Sequence, residues 1–79
     1  MWSEGSIAEP SGDGSYTVCK YRVKHFDEPS EAYGIDGGRI SKLTITVNGE
    51  MTLNYDRGWD IEPGDEVKAV YTIILSKYN

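Results

Sequence analysis

Asn48-Gly49 stands between two runs in which apolar and polar residues alternate, and this arrangement constrains the fold more than any other feature of the chain. A two-residue type I′ turn needs φ > 0 at both central positions, which Asn and Gly tolerate best, so Asn-Gly flanked by alternation predicts a β-hairpin. Before the turn, Arg39 to Val47 places Leu43, Ile45 and Val47 on one face and Lys42, Thr44 and Thr46 on the other. After it, Met51, Leu53 and Tyr55 alternate with Thr52 and Asn54. The two runs are expected to pair antiparallel.

The same reading extends toward the N-terminus. Ser15 to Phe26 is rich in Tyr, Val and Thr, with Lys20, Arg22 and Lys24 on one face and Cys19, Tyr21 and Val23 on the other. That pattern predicts a half-buried strand with its cations in water. Trp2 to Ala8 is a weaker strand candidate, separated from it by the turn-like Glu9-Pro10-Ser11-Gly12-Asp13-Gly14. Asp27 to Gly38 holds one Pro, three Gly and four acids and reads as a loop.

Period decides the C-terminal run. Val67, Val70, Tyr71, Ile74, Leu75 and Tyr78 form an apolar stripe at helical spacing. Pro63 suits a first helical position, Asp65 and Glu66 the positive end, and Lys77 the negative end. Val67, Ala69, Tyr71, Ile73 and Leu75 also alternate as a strand would, but the length of the stripe favours the helix. The expected fold is therefore α+β: a small antiparallel sheet of three or four strands with one C-terminal helix packed on one face.

With 79 residues the chain has room for one core, so residues 1–79 are read as a single domain. Cys19 is the only cysteine, which excludes an intramolecular disulfide and suits a reducing compartment. Met1-Trp2-Ser3-Glu4 has neither the basic nor the apolar stretch of a secretory signal, and Ile73-Ile74-Leu75 is far short of a membrane span. The expected location is the cytoplasm, with no membrane association. A net charge of -5 argues against nucleic-acid binding, which rests on neutralising phosphates.

Few residue patterns carry chemistry. Tyr33-Gly34-Ile35-Asp36-Gly37-Gly38-Arg39 contains a glycine cluster, but a strand rather than a helix follows it, so it reads as a turn. Cys19 and His25 are too few for a zinc site and, in extended chain, about 20 Å apart at ~3.3 Å per residue, too far for a nucleophile–base pair. Neither a metal nor another cofactor is expected. The acids Asp27, Glu28, Glu31 and Asp36, and further on Asp56, Asp60 and Glu62, read first as solvated loops. Arg39 and Arg57 are placed to pair with them. Asn54-Tyr55-Asp56-Arg57-Gly58-Trp59-Asp60 concentrates aromatics and Arg as binding hot spots do, and an aromatic plug for the core fits the same residues.

Taken together, Tyr33-Gly-Ile-Asp-Gly-Gly-Arg-Ile-Ser-Lys-Leu43 and Asn54-Tyr-Asp-Arg-Gly-Trp-Asp60 resemble the hallmark of an uncharacterised family, a domain of unknown function seen in bacteria and their phages. The resemblance runs from Lys20 to Tyr78-Asn79 and is weakest over Met1 to Ser15. It implies a recurring domain and a phage or mobile-element accessory role, and assigns no catalytic residue. The functional expectation is a small non-catalytic module, monomeric or weakly dimeric, that contacts a protein partner through Tyr33, Arg39, Tyr55, Arg57 and Trp59. Two alternatives stand beside it: a metal-dependent hydrolase using Asp36, Asp56 and Asp60, and an acidic mimic of nucleic acid.

Overall fold

Alternation along the chain becomes a five-stranded meander. The computed structural model describes residues 1–10 and 12–79. In it β1 (Trp2–Pro10), β2 (Tyr16–His25), β3 (Ile40–Val47), β4 (Glu50–Asp56) and β5 (Trp59–Ile61) lie side by side in chain order, and α1 (Lys68–Tyr78) follows. Every neighbouring pair is antiparallel. The sheet thus exceeds the three or four strands expected. The additional one, β5, is three residues long, too short for any period to register in the sequence. The turn expected over Glu9–Gly14 includes Ser11, which lies outside the described residues. On either side of it Pro10 and Tyr16 face each other across β1 and β2.

Asn48 and Gly49 adopt φ of 53° and 80°, the left-handed pair that a two-residue hairpin demands. Beyond the turn the register shifts between Ile45 and Thr46. Leu53 faces Ile45, but Met51 faces Thr46, so a β-bulge at Thr52 separates Met51 from the face of Leu53 and Tyr55. Met51 is consequently 49% exposed, against the expected grouping. The bulge is held by Thr52, whose hydroxyl donates to the Ile45 carbonyl at 3.2 Å.

One face of the sheet carries the core. Cys19, Tyr21 and Val23 of β2, Leu43 and Ile45 of β3, and Leu53 and Tyr55 of β4 cluster with Val67, Val70 and Ile74. Tyr71, Leu75 and Tyr78 complete the expected helical stripe as half-buried neighbours. The helix starts later than Pro63 suggested. Gly64 is extended (φ -79°, ψ 173°), a single 3-10 turn spans Asp65–Val67, and the α-helix begins only at Lys68. Gly64 favours that extended entry because a helical glycine loses more backbone entropy than other residues.

The loop between β2 and β3 is anchored by an apolar residue. Ile35, in a 3-10 turn at Ile35–Gly37, is fully buried in the core. Burying such a side chain contributes roughly 1.5–3 kcal/mol. The Asn79 side chain fastens this turn to β3: its Nδ2 donates to the Ile35 carbonyl at 3.1 Å, and its Oδ1 accepts the Ile40 N–H at 2.9 Å. Gly34 sits where the loop crosses itself, and a Cβ there would overlap the carbonyls of Gly38 and Ser30. Because those obstacles are backbone, Gly34→Ala is expected to destabilise the protein by roughly 1–3 kcal/mol. Urea unfolding of the variant beside the parent protein measures this directly.

Near the helix C-terminus the Tyr21 and Tyr78 hydroxyls lie 3.0 Å apart. The hydrogen bond to Tyr78, reinforced by burial, pushes the Tyr21 hydroxyl from 10.0 up to about 12. A raised pKa means that the folded state holds this proton more tightly than the unfolded chain. The contribution is therefore complete below pH 10 and lost as pH rises toward 12. Tyr78→Phe, which removes the bond, is expected to flatten the fall in stability across that window. Denaturant midpoints measured at intervals of pH test it.

Candidate functional site

The residues singled out in the sequence separate into a packed layer and an exposed one. Tyr55 is only 6% exposed, and its hydroxyl donates to the Tyr33 carbonyl at 2.9 Å. Its ring meets Trp59 edge-on at 5.0 Å, and Trp59 meets Tyr71 of α1 at 5.7 Å. These three rings close the core beside β5, leaving Trp59 38% exposed. Burial raises the hydroxyl pKa of both Tyr55 and Tyr71, and the nearby negative charge of Asp36 adds to each shift.

Tyr33, Arg39 and Arg57 face outward. Tyr33 is 53% exposed, and the Arg57 guanidinium lies 5.8 Å from its ring centre. All three line a cleft of about 260 Å³, together with Lys24, Phe26 and Lys42. Backbone contacts build its walls. Phe26 N–H donates to the Arg39 carbonyl at 3.1 Å, extending the β2–β3 pairing past the strand end. Arg57 N–H donates to the Ser41 carbonyl at 2.9 Å, tying the β4–β5 turn to the start of β3. Ser30 N–H donates to the Gly38 carbonyl at 2.9 Å, and the Ser30 hydroxyl accepts the Tyr33 N–H at 3.1 Å.

Charge in this cleft is unbalanced. Lys42 pairs with Asp56 at 3.4 Å. Among the described residues, Lys24, Arg39 and Arg57 have no carboxylate within 4.0 Å. Lys24 instead approaches the rings of Phe26 at 5.6 Å and Trp2 at 5.9 Å. It also stands directly opposite Lys42 in the β2–β3 register, an arrangement of like charges that opposes sheet pairing. The expected pairing of Arg39 and Arg57 with the loop acids is therefore absent among the described residues.

Lys24, Phe26 and Lys42 are the charged and aromatic members of the cleft absent from the site expected from the sequence. Lys24 belongs to the β2 face read as solvated, and Lys42 to the hairpin face opposite Leu43, Ile45 and Val47. Aligning β2 against β3 by their buried residues would have set the two lysines side by side. A larger hollow of about 480 Å³ lies over the uncovered face of the sheet, along Glu4, Lys20, Arg22 and Thr44. There Arg22 is neutralised by Glu4 at 2.8 Å and Lys20 is the one cation without a carboxylate within 4.0 Å among the described lining residues, whereas the smaller cleft holds three.

The other candidate chemistry is dispersed. Asp56 pairs with Lys42, and Asp60 accepts from Asn54 Nδ2 at 3.2 Å. Asn54 in turn accepts the Thr44 hydroxyl at 3.0 Å, a chain of bonds across β3, β4 and β5. Among the described residues no three His, Cys, Asp or Glu side chains converge as metal ligands would. Cys19 is buried, and desolvation raises its thiol pKa, the opposite of a reactive thiolate. His25 Nε2 lies 3.0 Å from the Ser3 hydroxyl, with its ring 4.8 Å from that of Tyr78. No helix among the described residues is long and apolar enough to cross a membrane.

Residues 1–79 match a family described as a domain of unknown function, DUF7678. The chain belongs to that family. The match includes β1, the segment over which the motif resemblance was weakest. No curated protein and no solved structure matches the chain.

Within this family member Arg57 occupies a backbone position that an L-residue resists, with φ of 57°. Relief of that strain by glycine exceeds glycine's entropic cost, so Arg57→Gly is expected to be more stable than Arg57→Ala by roughly 0.5–1 kcal/mol. Thermal unfolding of the two variants, both without the guanidinium, isolates the backbone contribution.

Proposed function

We propose that this chain is a small non-catalytic binding module whose contact surface centres on Tyr33, Arg39 and Arg57. Tyr55 and Trp59 serve as the packed support that holds Tyr33 and the β4–β5 turn in place. The observation that carries this reading is the cleft lined by Lys24, Arg39 and Arg57, none of which has a carboxylate partner among the described residues. Arg and aromatic residues are what binding hot spots are built from, and backbone bonds already hold these walls in register.

The partner in this reading is a protein, and the module acts as a monomer or weak homodimer in the bacterial cytoplasm, in an accessory role of phage or mobile-element origin. The buried, unpaired thiol of Cys19 is compatible with a reducing compartment. The overall charge of -5 disfavours a nucleic-acid partner through long-range repulsion of the phosphate backbone.

The test is quantitative capture from a nuclease-treated bacterial lysate with the parent protein and with an Arg39→Glu, Arg57→Glu double variant. Both side chains are exposed, so the variant is expected to keep the parent's circular dichroism and lose the specifically captured protein. An identical capture profile from the folded variant would remove the cleft from the proposal. Trp59→Ala is a poorer probe, because it opens the ring packing with Tyr55 and Tyr71.

A further inference from the structure

We infer that the cleft between the β2–β3 loop and the β4–β5 turn is a receptor for a phosphate monoester. This rests on the cleft being the contact surface of the module. The argument begins with charge. The chain carries 13 acidic and 8 basic residues, so carboxylates are in excess, yet none pairs with Lys24, Arg39 or Arg57 among the described residues. Three free cations exceed what a single carboxylate would balance. A phosphate monoester carries about -1.5 to -2 at pH 7 and offers three acceptor oxygens.

Geometry narrows the ligand further. Two of the three cations are arginines, whose planar forks match phosphate oxygens in pairs. The volume of about 260 Å³ is small for a complete ligand site and suits one anionic group and the atoms next to it. The rings of Phe26 and Tyr33 stand in the same walls, with Lys24 5.6 Å from one and Arg57 5.8 Å from the other. A phosphate entering between the cations therefore has its carrier beside aromatic surface, which favours a planar carrier. An extended polyanion fits less well: within the cleft Lys42 is already neutralised by Asp56, and along the neighbouring sheet face Arg22 is neutralised by Glu4, which leaves Lys20 alone there.

The experiment is a titration of the isotope-labelled full chain followed by amide and arginine side-chain NMR, with phenyl phosphate as the probe and benzoate as the singly charged control. Phenyl phosphate is expected to shift Phe26, Tyr33, Arg39 and Arg57 saturably and to bind at least about tenfold more tightly than benzoate. Its affinity should fall below pH ~6, where the second phosphate proton is regained. Arg39→Gln and Arg57→Asn, the latter residue accepting a left-handed backbone, should each weaken binding about tenfold. Lys68→Gln on the helix should leave it unchanged.

A tyrosine-phosphorylated peptide and adenosine monophosphate then separate the two sources of the group. Preference for either supports the receptor, the first pointing to a modified protein and the second to a nucleotide. Equal affinity for benzoate, no saturable shift, or equally tight binding of a single-stranded oligonucleotide lacking terminal phosphate overturns the inference. If phenyl phosphate fails while lysate capture still depends on Arg39 and Arg57, the phosphate receptor falls and the binding module stands.

Discussion

Val70 and Ile74 of α1 bury themselves completely against a sheet face built by Val23, Leu43, Ile45 and Leu53. That contact organises the rest of the molecule. The chain has no disulfide, and a domain of this size buries only about 60% of the surface its unfolded form exposes. A single helix of 11 residues can cover one face of a five-stranded sheet and no more. The opposite face must then be tolerable to water, and it carries Lys20, Arg22, Thr44 and Thr46 accordingly. Polar chemistry accumulates where the helix cannot reach.

The β2–β3 loop shows how such a core is completed. With Gly, Pro and acids dominating it, the segment from Asp27 to Gly38 would ordinarily lie loose on the surface. One apolar residue, Ile35, reaches the core and converts the loop into a wall. The Ile35 carbonyl accepts the Gly38 N–H and the Asn79 side-chain amide from the end of α1, and Asn79 in turn accepts the Ile40 N–H at the start of β3. The end of α1 and the loop are therefore tied together through Asn79, next to the segment that carries Tyr33. The Tyr55 hydroxyl bond to the Tyr33 carbonyl gives the same wall a second attachment, from the sheet.

What could be read from residues alone follows from the range over which each signal acts. Asn48-Gly49, the alternation of β2 and the stripe from Val67 to Tyr78 are local patterns, and all three became the elements they predicted. The failures were of two kinds. Met51 and Pro63 were misplaced because one extra residue at Thr52 and one extended glycine at Gly64 shift a period without leaving a distinct signature. β5 escaped because its turn places an arginine, not a glycine, at positive φ. The cleft was half legible: Tyr33, Arg39 and Arg57 stood out by type, while Lys24 and Lys42 join them only through the pairing of β2 with β3. Pairing between distant segments is information that composition and period do not contain.

Two features of the cleft run against stability and are retained together. Lys24 and Lys42 face each other across adjacent strands, where opposite charges or β-branched pairs would favour the sheet, and of the two only Lys42 has a carboxylate, Asp56, beside it. Arg57 holds a left-handed conformation that the glycine following it would adopt at no steric cost. Each could be relieved by a single substitution, and with 13 carboxylates in the chain there is no shortage of counter-charge. Natural domains sit near their stability threshold, so unfavourable arrangements clustered at one place point to a role other than folding. Strain and uncompensated charge meet here within one preformed concavity, on the side of the sheet end that α1 leaves open. An anion seated there, as proposed, would balance the charges of Lys24, Arg39 and Arg57 that the chain's own carboxylates leave unpaired among the described residues.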